Sequence, residues 1–308
     1  MVQKPHTKGQ SNNLETFSIV TATINQGHLI GETIESVISQ KGDFSIEYVV
    51  MDGLSTDNTL KVLQKYKEQL DNGTYPIQCN RVVLRFKSEK DSGQSNAMNK
   101  AIALTTGEII GEISSDDYYL PGAFDAAMRF LREHSDTNLV YGDCLKIYND
   151  ERKPTFEPKP RPHETFWSIL NRGSFSFAMQ ASFFKKRILD EIGGFFDENL
   201  HYCPDLDFFL RVFRHGTGHY IPFPMAVFRI WEGSKTGAHP ERFAAERKTV
   251  AKRFGGNIIP SQSIYALRDK LSFLDYAKKN SPGTYAILKR LFYRAVNAFK
   301  YRASASNK

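Results

Sequence analysis

The sequence predicts an α/β protein: a mostly parallel central sheet with helices on both faces, plus a helical C-terminal extension. Between residues 17 and 113, runs rich in β-branched and aliphatic residues alternate with segments whose apolar residues recur at helical spacing. The runs are continuously hydrophobic, as expected of strands covered on both faces. Polar turns rich in Ser, Thr, Asp and Gly follow the strands, and sheets of this kind bind ligands beyond their C-terminal strand ends.

Taken in order, residues 17–23 (FSIVTAT) read as the first strand, and 29–40 as an amphipathic helix with Ile30, Ile34, Val37 and Ile38 toward a core. Residues 46–52 (IEYVVMD) form the second strand, and 57–70 the second helix, with Leu60, Leu63 and Tyr66 on one side. A third strand is expected over 81–86, a third helix over 95–104 stopped by Gly107, and a fourth strand over 108–113. The second half is less regular. It offers a strand pair over 139–147, a Pro-rich surface excursion over 154–162, an apolar segment over 179–184 and a helix over 186–192 before Gly193-Gly194. A helix over 205–213 and a strand over 225–230 follow, with helices only from about Pro240. The organisation is a flexible N-terminus (1–16), one domain in two halves (17–118 and 119–256), and a basic amphipathic helical region (257–308).

The 308 residues are 41% hydrophobic and 24% charged, the balance of a soluble globular protein. Cys79, Cys144 and Cys203 are widely spaced and form no metal or redox motif, which suits a reducing compartment. The polar opening does not read as a signal peptide, and no apolar stretch is long enough to span a bilayer, so a cytoplasmic location is expected. The net charge of +7 is uneven, because no acid follows Asp275 while Lys289, Arg290, Arg294, Lys300 and Arg302 do. With Leu288, Leu291, Phe292 and Phe299 interleaved, this stretch suits either an anionic membrane surface or a docked helix with solvated lysines. Nucleic acid is not expected as a partner, because no recognised module accompanies the charge. Nothing in the sequence fixes an oligomeric state.

Asp116 and Asp117 stand at the end of the fourth strand, before Leu120-Pro121 opens the next helical stretch. Two carboxylates there suit a hard divalent cation shared with substrate phosphates, or a cap on the following helix. Three more polar turns share that sheet edge: Thr21 to Asn25, Asp52 to Thr59, and Glu89 to Asn99. Together they form a ring able to hold a nucleotide base and ribose, with a metal under the diphosphate. The G-x-G-x-x-G of a dinucleotide-binding dehydrogenase is absent after the first strand. A nucleotidyltransferase would carry a Gly-rich phosphate loop where this chain has Thr23-Ile24-Asn25-Gln26-Gly27. The eight histidines show no metal-binding spacing.

These segments resemble the family 2 glycosyltransferases. The likeness lies in T-x-x-x-N at Thr21 and Asn25, D-G-x-S-T-D-x-T from Asp52, G-x-x-x-A-x-N from Gly93 to Asn99, and Ser-Asp-Asp-x-Tyr-Leu-Pro-Gly from Ser115. It extends over roughly 17–256 and implies a GT-A fold, inverting transfer of a sugar from a nucleotide-sugar, and Mn²⁺ or Mg²⁺ as cofactor. The first half would then bind the nucleotide-sugar and the second the acceptor. A UDP-sugar is the expected donor, and a growing cell-surface glycan or lipid-linked acceptor the expected acceptor. A sugar-nucleotide nucleotidyltransferase, or a non-catalytic nucleotide-sugar-binding protein on the same fold, is the alternative, since fold alone does not establish activity.

By position, the resemblance implies that Asp52 accepts from the nucleotide base, with Thr21, Asn25 and Asp91 lining its pocket. Asp116 would face the ribose and diphosphate, and Asp117 would bind the cation as the last acid of a D-x-D motif whose first acid is Ser115 here. Asp205, in Cys203-Pro204-Asp205-Leu206-Asp207, aligns with the family's base, with Pro204 where an acid usually precedes it; Asp207 would support it or cap the helix. Phe228-Arg229-Ile230-Trp231 resembles a segment that often carries histidine where Trp231 stands, leaving Arg229 and Lys235 as candidate diphosphate contacts.

Overall fold

The computed structural model describes residues 16–148, 155–156, 160, 162–231 and 240–256. The N-terminal half alternates strand and helix as the hydrophobic runs require. The elements are β1 (Thr16–Thr23), α1 (Ile30–Ile38), β2 (Ser45–Asp52), α2 (Thr59–Asp71), β3 (Arg81–Ser88), α3 (Gln94–Ala103) and β4 (Ile109–Glu112). There follow β5 (Tyr118–Tyr119), α4 (Ala123–Glu133), β6 (Leu139–Tyr148), β7 (Thr155–Phe156), α5 (Phe166–Arg172), a 3₁₀ turn (Met179–Ala181) and β8 (Ser182–Lys185). The last are α6 (Ile188–Ile192), α7 (Pro204–His215), β9 (Gly218–Ile230) and α8 (Pro240–Arg253).

Among the described residues the strands form one sheet in the order β3-β2-β1-β4-β8-β6-β9-β5, with β7 on β6. The long ladders, β1 with β2, β2 with β3 and β6 with β9, are parallel, while β8 runs antiparallel between β4 and β6. The fold is therefore the expected α/β sheet, mixed at its centre. On one face Phe17 and Ile19 of β1, Ile109 of β4, Ile34 and Val37 of α1, and Phe124 and Met128 of α4 make a continuous core. On the other, α3 lies on β1 and β2, and Phe184 of β8 meets Phe195 and Phe208. Gly111 lets the layers close, because a Cβ there would come within 2.8 Å of Ile19 and 2.9 Å of Phe183 and the Tyr119 hydroxyl.

Three expectations change in the second half. The strand pair over 139–147 is a single strand, β6, and the Pro-rich excursion includes a short strand, β7, paired to it. Strand β9 starts seven residues earlier than the 225–230 pattern, running Gly218–Ile230. Pro222 and Pro224 hid this, yet they fall where the β6–β9 register shifts between Tyr141 and Cys144, a bulge that tolerates missing ladder donors. The C-terminal region 257–308, with its predicted basic helix, lies outside the described residues.

Helix α7 is fixed by a buried ion pair. Arg211 Nε donates to Asp207 Oδ2 at 2.8 Å, and its Nη1 donates to the carbonyls of Ile192 (3.1 Å) and Gly194 (2.7 Å). Arg253 of α8 stands 3.6 Å from the other oxygen of Asp207. Removing one member of a buried pair strands the other charge. Arg211→Met is expected to lower stability by roughly 3 kcal/mol, read as a lower midpoint in urea unfolding. An unchanged midpoint would mean that Arg253 alone suffices.

Candidate active site

At the C-terminal ends of β1 and β2 the two following loops are tied together. Asn25, held at φ +52°, receives the Ser55 hydroxyl as acceptor for its N–H at 2.7 Å, and its Oδ1 accepts from the Thr56 N–H at 2.8 Å. The Gly27 N–H donates to Asp57 Oδ2 at 3.0 Å, and the Gln26 N–H to the Thr59 hydroxyl at 3.0 Å. Asn25 is thus a loop latch through its backbone N–H and its Oδ1, on an exposed side chain.

Two residues expected at the base pocket are turned inward. Thr21 is fully buried, its hydroxyl donating to the Ile113 carbonyl at 2.7 Å and lying 3.0 Å from the Tyr48 hydroxyl. Asp52 is 1% exposed, and its carboxylate accepts from the Ser55 N–H (3.0 Å), the Ser55 hydroxyl and the Ser88 hydroxyl (2.5 Å). These groups close the loops, and both side chains are engaged within the fold. Asp91 remains partly exposed. Its Oδ1 takes the Gly93 N–H at 2.9 Å, while its Oδ2 lies so near Gly53 that a Cβ there would be 2.8 Å away. Beside it Ile24 (58% exposed) and Leu54 (52% exposed, φ +65°) present apolar surface. Large exposed apolar groups next to a carboxylate were not singled out in the sequence, because Ile24 and Leu54 read there as loop filler.

The Asp116-Asp117 turn divides its labour. Asp117 is fully buried; its Oδ2 accepts from Gln180 Nε2 at 2.6 Å and its Oδ1 from the Arg229 N–H at 2.8 Å. Burial, and then the neighbouring Asp116 charge, push its carboxyl well above the usual range. Both oxygens accept a hydrogen bond inside the fold, so Gln180 and the Arg229 N–H fix the orientation of Asp117. Asp116 is half-buried and keeps one carboxylate oxygen, Oδ1, without a hydrogen bond from the described residues. Its Oδ2 accepts from Trp231 Nε1 at 3.0 Å. Trp231, where histidine is common in relatives, therefore orients an acid rather than supplying a ring nitrogen lone pair. Arg229 braces the same turn: its guanidinium donates to the Asp116 carbonyl and to Glu32, both at 2.5 Å, and stacks 4.8 Å from the Tyr118 ring. It reinforces this turn from behind. Lys235 lies outside the described residues.

On α7 the site gains its second accessible acid. Pro204 stands at N1, which suits its missing N–H, and Asp205 follows in the first turn, partly exposed, with Oδ1 accepting from the Leu206 N–H at 2.8 Å. Glu246 of α8 holds the approach to this turn by accepting from the N–H groups of His201 (2.9 Å), Tyr202 (2.5 Å) and Cys203 (2.5 Å). The G-x-x-x-A-x-N motif of α3 clamps the same segment. Asn99 Nδ2 donates to the Phe196 carbonyl at 2.9 Å while its Oδ1 takes the Phe196 N–H at 3.0 Å, and Asn96 donates to Glu198 at 2.9 Å. Electrostatics tie Asp205 to the β4 turn, since burial and the charges of Asp117, Asp205 and Asp116 together push the buried Glu112 carboxyl up to about 8.

The structure thus puts Asp116 in the turn after β4 and Asp205 in the first turn of α7, each near enough to Glu112 for its charge to act there, and Asp91 in the loop after β3. A divalent cation fits Asp116: one oxygen is available, and Mg²⁺ characteristically takes one or two carboxylates with substrate phosphates completing its shell. No cluster of three or more His, Cys, Asp or Glu able to hold a metal forms among the described residues.

An open α/β sheet presenting acids and interlocked loops at its carboxyl edge is a nucleotide-binding type of architecture. The chain belongs to glycosyl transferase family 2, whose sequence profile matches residues 18–193. A PGL/p-HBAD biosynthesis glycosyltransferase of Mycobacterium tuberculosis is 28% identical over 206 residues, covering 65% of this chain and 70% of that protein. An uncharacterized Mycobacterium bovis protein is 25% identical over 230 residues, and the chain spans 62% of its length. Among solved structures, S. aureus TarS 1-349 in complex with UDP-GlcNAc superposes with a TM-score of 0.59 at 22% identity, over 76% of this chain and 65% of that one. A mannosyltransferase from Pyrobaculum calidifontis, in complex with GDP-Man and Mn²⁺, gives 0.56 at 20% identity over 99% of this chain and 86% of that one. These likenesses establish the fold as GT-A type.

Proposed function

We propose that the protein is an inverting glycosyltransferase that moves a sugar from a nucleoside-diphospho-sugar to a hydroxyl acceptor. The observation that carries this is the family 2 match over residues 18–193 together with two part-exposed acids, Asp116 after β4 and Asp205 in the first turn of α7, whose charges both act on Glu112. The nucleotide base lies against Ile24, Gly53 and Leu54, with Asp91 accepting a base N–H. Asp116 would hold Mn²⁺ or Mg²⁺ beneath the diphosphate, and such a cation, when bound, neutralises the charge of the leaving group. Asp205 takes the proton of the acceptor hydroxyl as that oxygen bonds to the anomeric carbon. The bond from that carbon to the diphosphate breaks, its electron pair leaves with the nucleoside diphosphate, and the configuration inverts.

A UDP-sugar is the proposed donor, supported by the TarS complex with UDP-GlcNAc; GDP-sugars belong in the test because the Pyrobaculum neighbour holds GDP-Man. A cell-surface polysaccharide or glycolipid acceptor is supported by the name of the mycobacterial relative. The decisive screen is thermal stabilisation by a panel of UDP-, GDP- and dTDP-sugars with Mn²⁺. One donor should raise the melting temperature by several degrees at saturating concentration. A flat panel would sink the proposal.

The basic stretch after Asp275 is proposed to hold the enzyme at an anionic membrane, at roughly 1 kcal/mol per basic residue near the surface. Among the described residues no helix is long and apolar enough to cross a membrane. Co-sedimentation with anionic liposomes should be strong at low salt, fade at high salt and vanish when the chain ends near Ser281. Equal pelleting of both chains removes the idea.

A further inference from the structure

Glu112 ends β4, in register with Val20 of β1, and strand alternation puts its side chain on the sheet face opposite the core that receives Ile109. It is 4% exposed, and no described residue donates a hydrogen bond to its carboxyl. Every other buried acid among the described residues has partners. Glu47 is held by Ser18, Thr106 and Arg85, Asp52 by Ser55 and Ser88, Asp117 by Gln180 and the Arg229 N–H. Asp143 is held by Tyr220, Glu164 by Arg172 and Ser168, and Asp207 by Arg211. The Glu112 oxygens are not among the sealed, unpartnered side-chain atoms of the described residues, so this nearly buried carboxyl keeps an opening through which a ligand can complete its hydrogen bonds.

Its position says which ligand. Asp116 follows four residues on, in the turn that β4 runs into, and Asp205 on α7 is near enough for its charge to act on the carboxyl, so Glu112 neighbours both acids of the proposed site. The transferred sugar is the part of the donor that joins those two points. We propose that Glu112 is the floor of the donor-sugar subsite and hydrogen-bonds hydroxyls of the transferred sugar, thereby setting which sugar is accepted. This rests on the transferase reading above. Burial, with the fields of Asp117, Asp205 and Asp116, pushes the carboxyl up to about 8, so it carries its proton near neutral pH. A protonated carboxyl both donates and accepts, as a sugar hydroxyl does, and adds no negative charge beside a diphosphate. A site built to bond a hydroxyl also rejects analogues that lack it.

The test uses the full chain, UDP-GlcNAc, UDP-glucose and GDP-mannose, the monodeoxy forms of whichever the wild type turns over, and UDP and GDP alone. Glu112→Leu is expected to keep its affinity for the free nucleoside diphosphate within twofold and to lose about 100-fold in kcat/KM with the preferred donor. Against one monodeoxy donor the wild type should show a similar loss, and Glu112→Leu no further one. Glu112→Gln, which donates and accepts at nearly the same size, should stay within tenfold of wild type and keeps the test open if the leucine variant does not fold. A leucine variant that discriminates among the deoxy donors as the wild type does overturns the proposal alone. So does an equal loss of nucleoside diphosphate binding. A wild-type protein that binds and transfers none of the donors overturns the transferase reading and this proposal with it.

Discussion

Asp205→Asn is expected to bind nucleotide-sugar as the parent does while turnover falls by about two to four orders of magnitude, the usual worth of a positioned base. The substitution is nearly isosteric, and its carbonyl oxygen can still accept from the Leu206 N–H. A carboxamide cannot take the acceptor's proton at neutral pH. Asp207 offers no substitute, because it is buried and committed to Arg211, with Arg253 on its other side. Single-turnover rates with saturating donor isolate the step. Turnover near the parent rate would remove Asp205 from the chemistry.

Asp116→Asn should lower turnover by about 100- to 1,000-fold, the scale on which lost electrostatic stabilisation of a leaving group is felt. Nucleotide affinity in this variant should no longer rise with Mn²⁺. The asparagine can keep the contact from Trp231 Nε1, so the fold should be little changed. Asp117→Asn gives the contrasting pattern. Its new amide NH₂ would oppose one of the two donors, Gln180 Nε2 or the Arg229 N–H, so the melting temperature should drop while any remaining folded protein still responds to the metal. Titrating nucleotide affinity against Mn²⁺ in both variants separates the two acids. A metal response lost in Asp117→Asn and kept in Asp116→Asn would return the cation to Asp117.

Strands β1 to β4 and the helices between them were legible because each strand is a continuous apolar run and each helix has a single apolar side. The loops at their ends were legible as a place but not as an arrangement. Serine, threonine and aspartate close turns with the same groups that would bind a ligand, so Asp52 and Asp91 look alike in the sequence. Only the partners Ser55 and Ser88 reveal that Asp52 is spoken for. Asp116 and Asp117 are adjacent and chemically identical; what distinguishes them comes from Gln180, Arg229 and Trp231, far along the chain. Glu112 was hidden for a different reason. A single acid within an apolar run reads as one more strand position until its missing partners are seen.

The clamp between α3 and the segment before α7 has a consequence for how the two substrates are brought into line. Helix α3 starts at Gly93, directly after the Asp91 loop, and Asn99 grips both backbone groups of Phe196 five residues along that helix from Gln94. One stiff helix therefore joins the Asp91 loop to the segment that leads into α7, and the reach between them is set by helix geometry instead of by a hinge. Error in that reach should appear as poor alignment, not poor affinity. Asn99→Ala is accordingly expected to leave the donor KM within about twofold while kcat falls about tenfold or more, because small misplacements of reacting groups are costly. A parallel rise in KM would show that the helix shapes the nucleotide pocket itself.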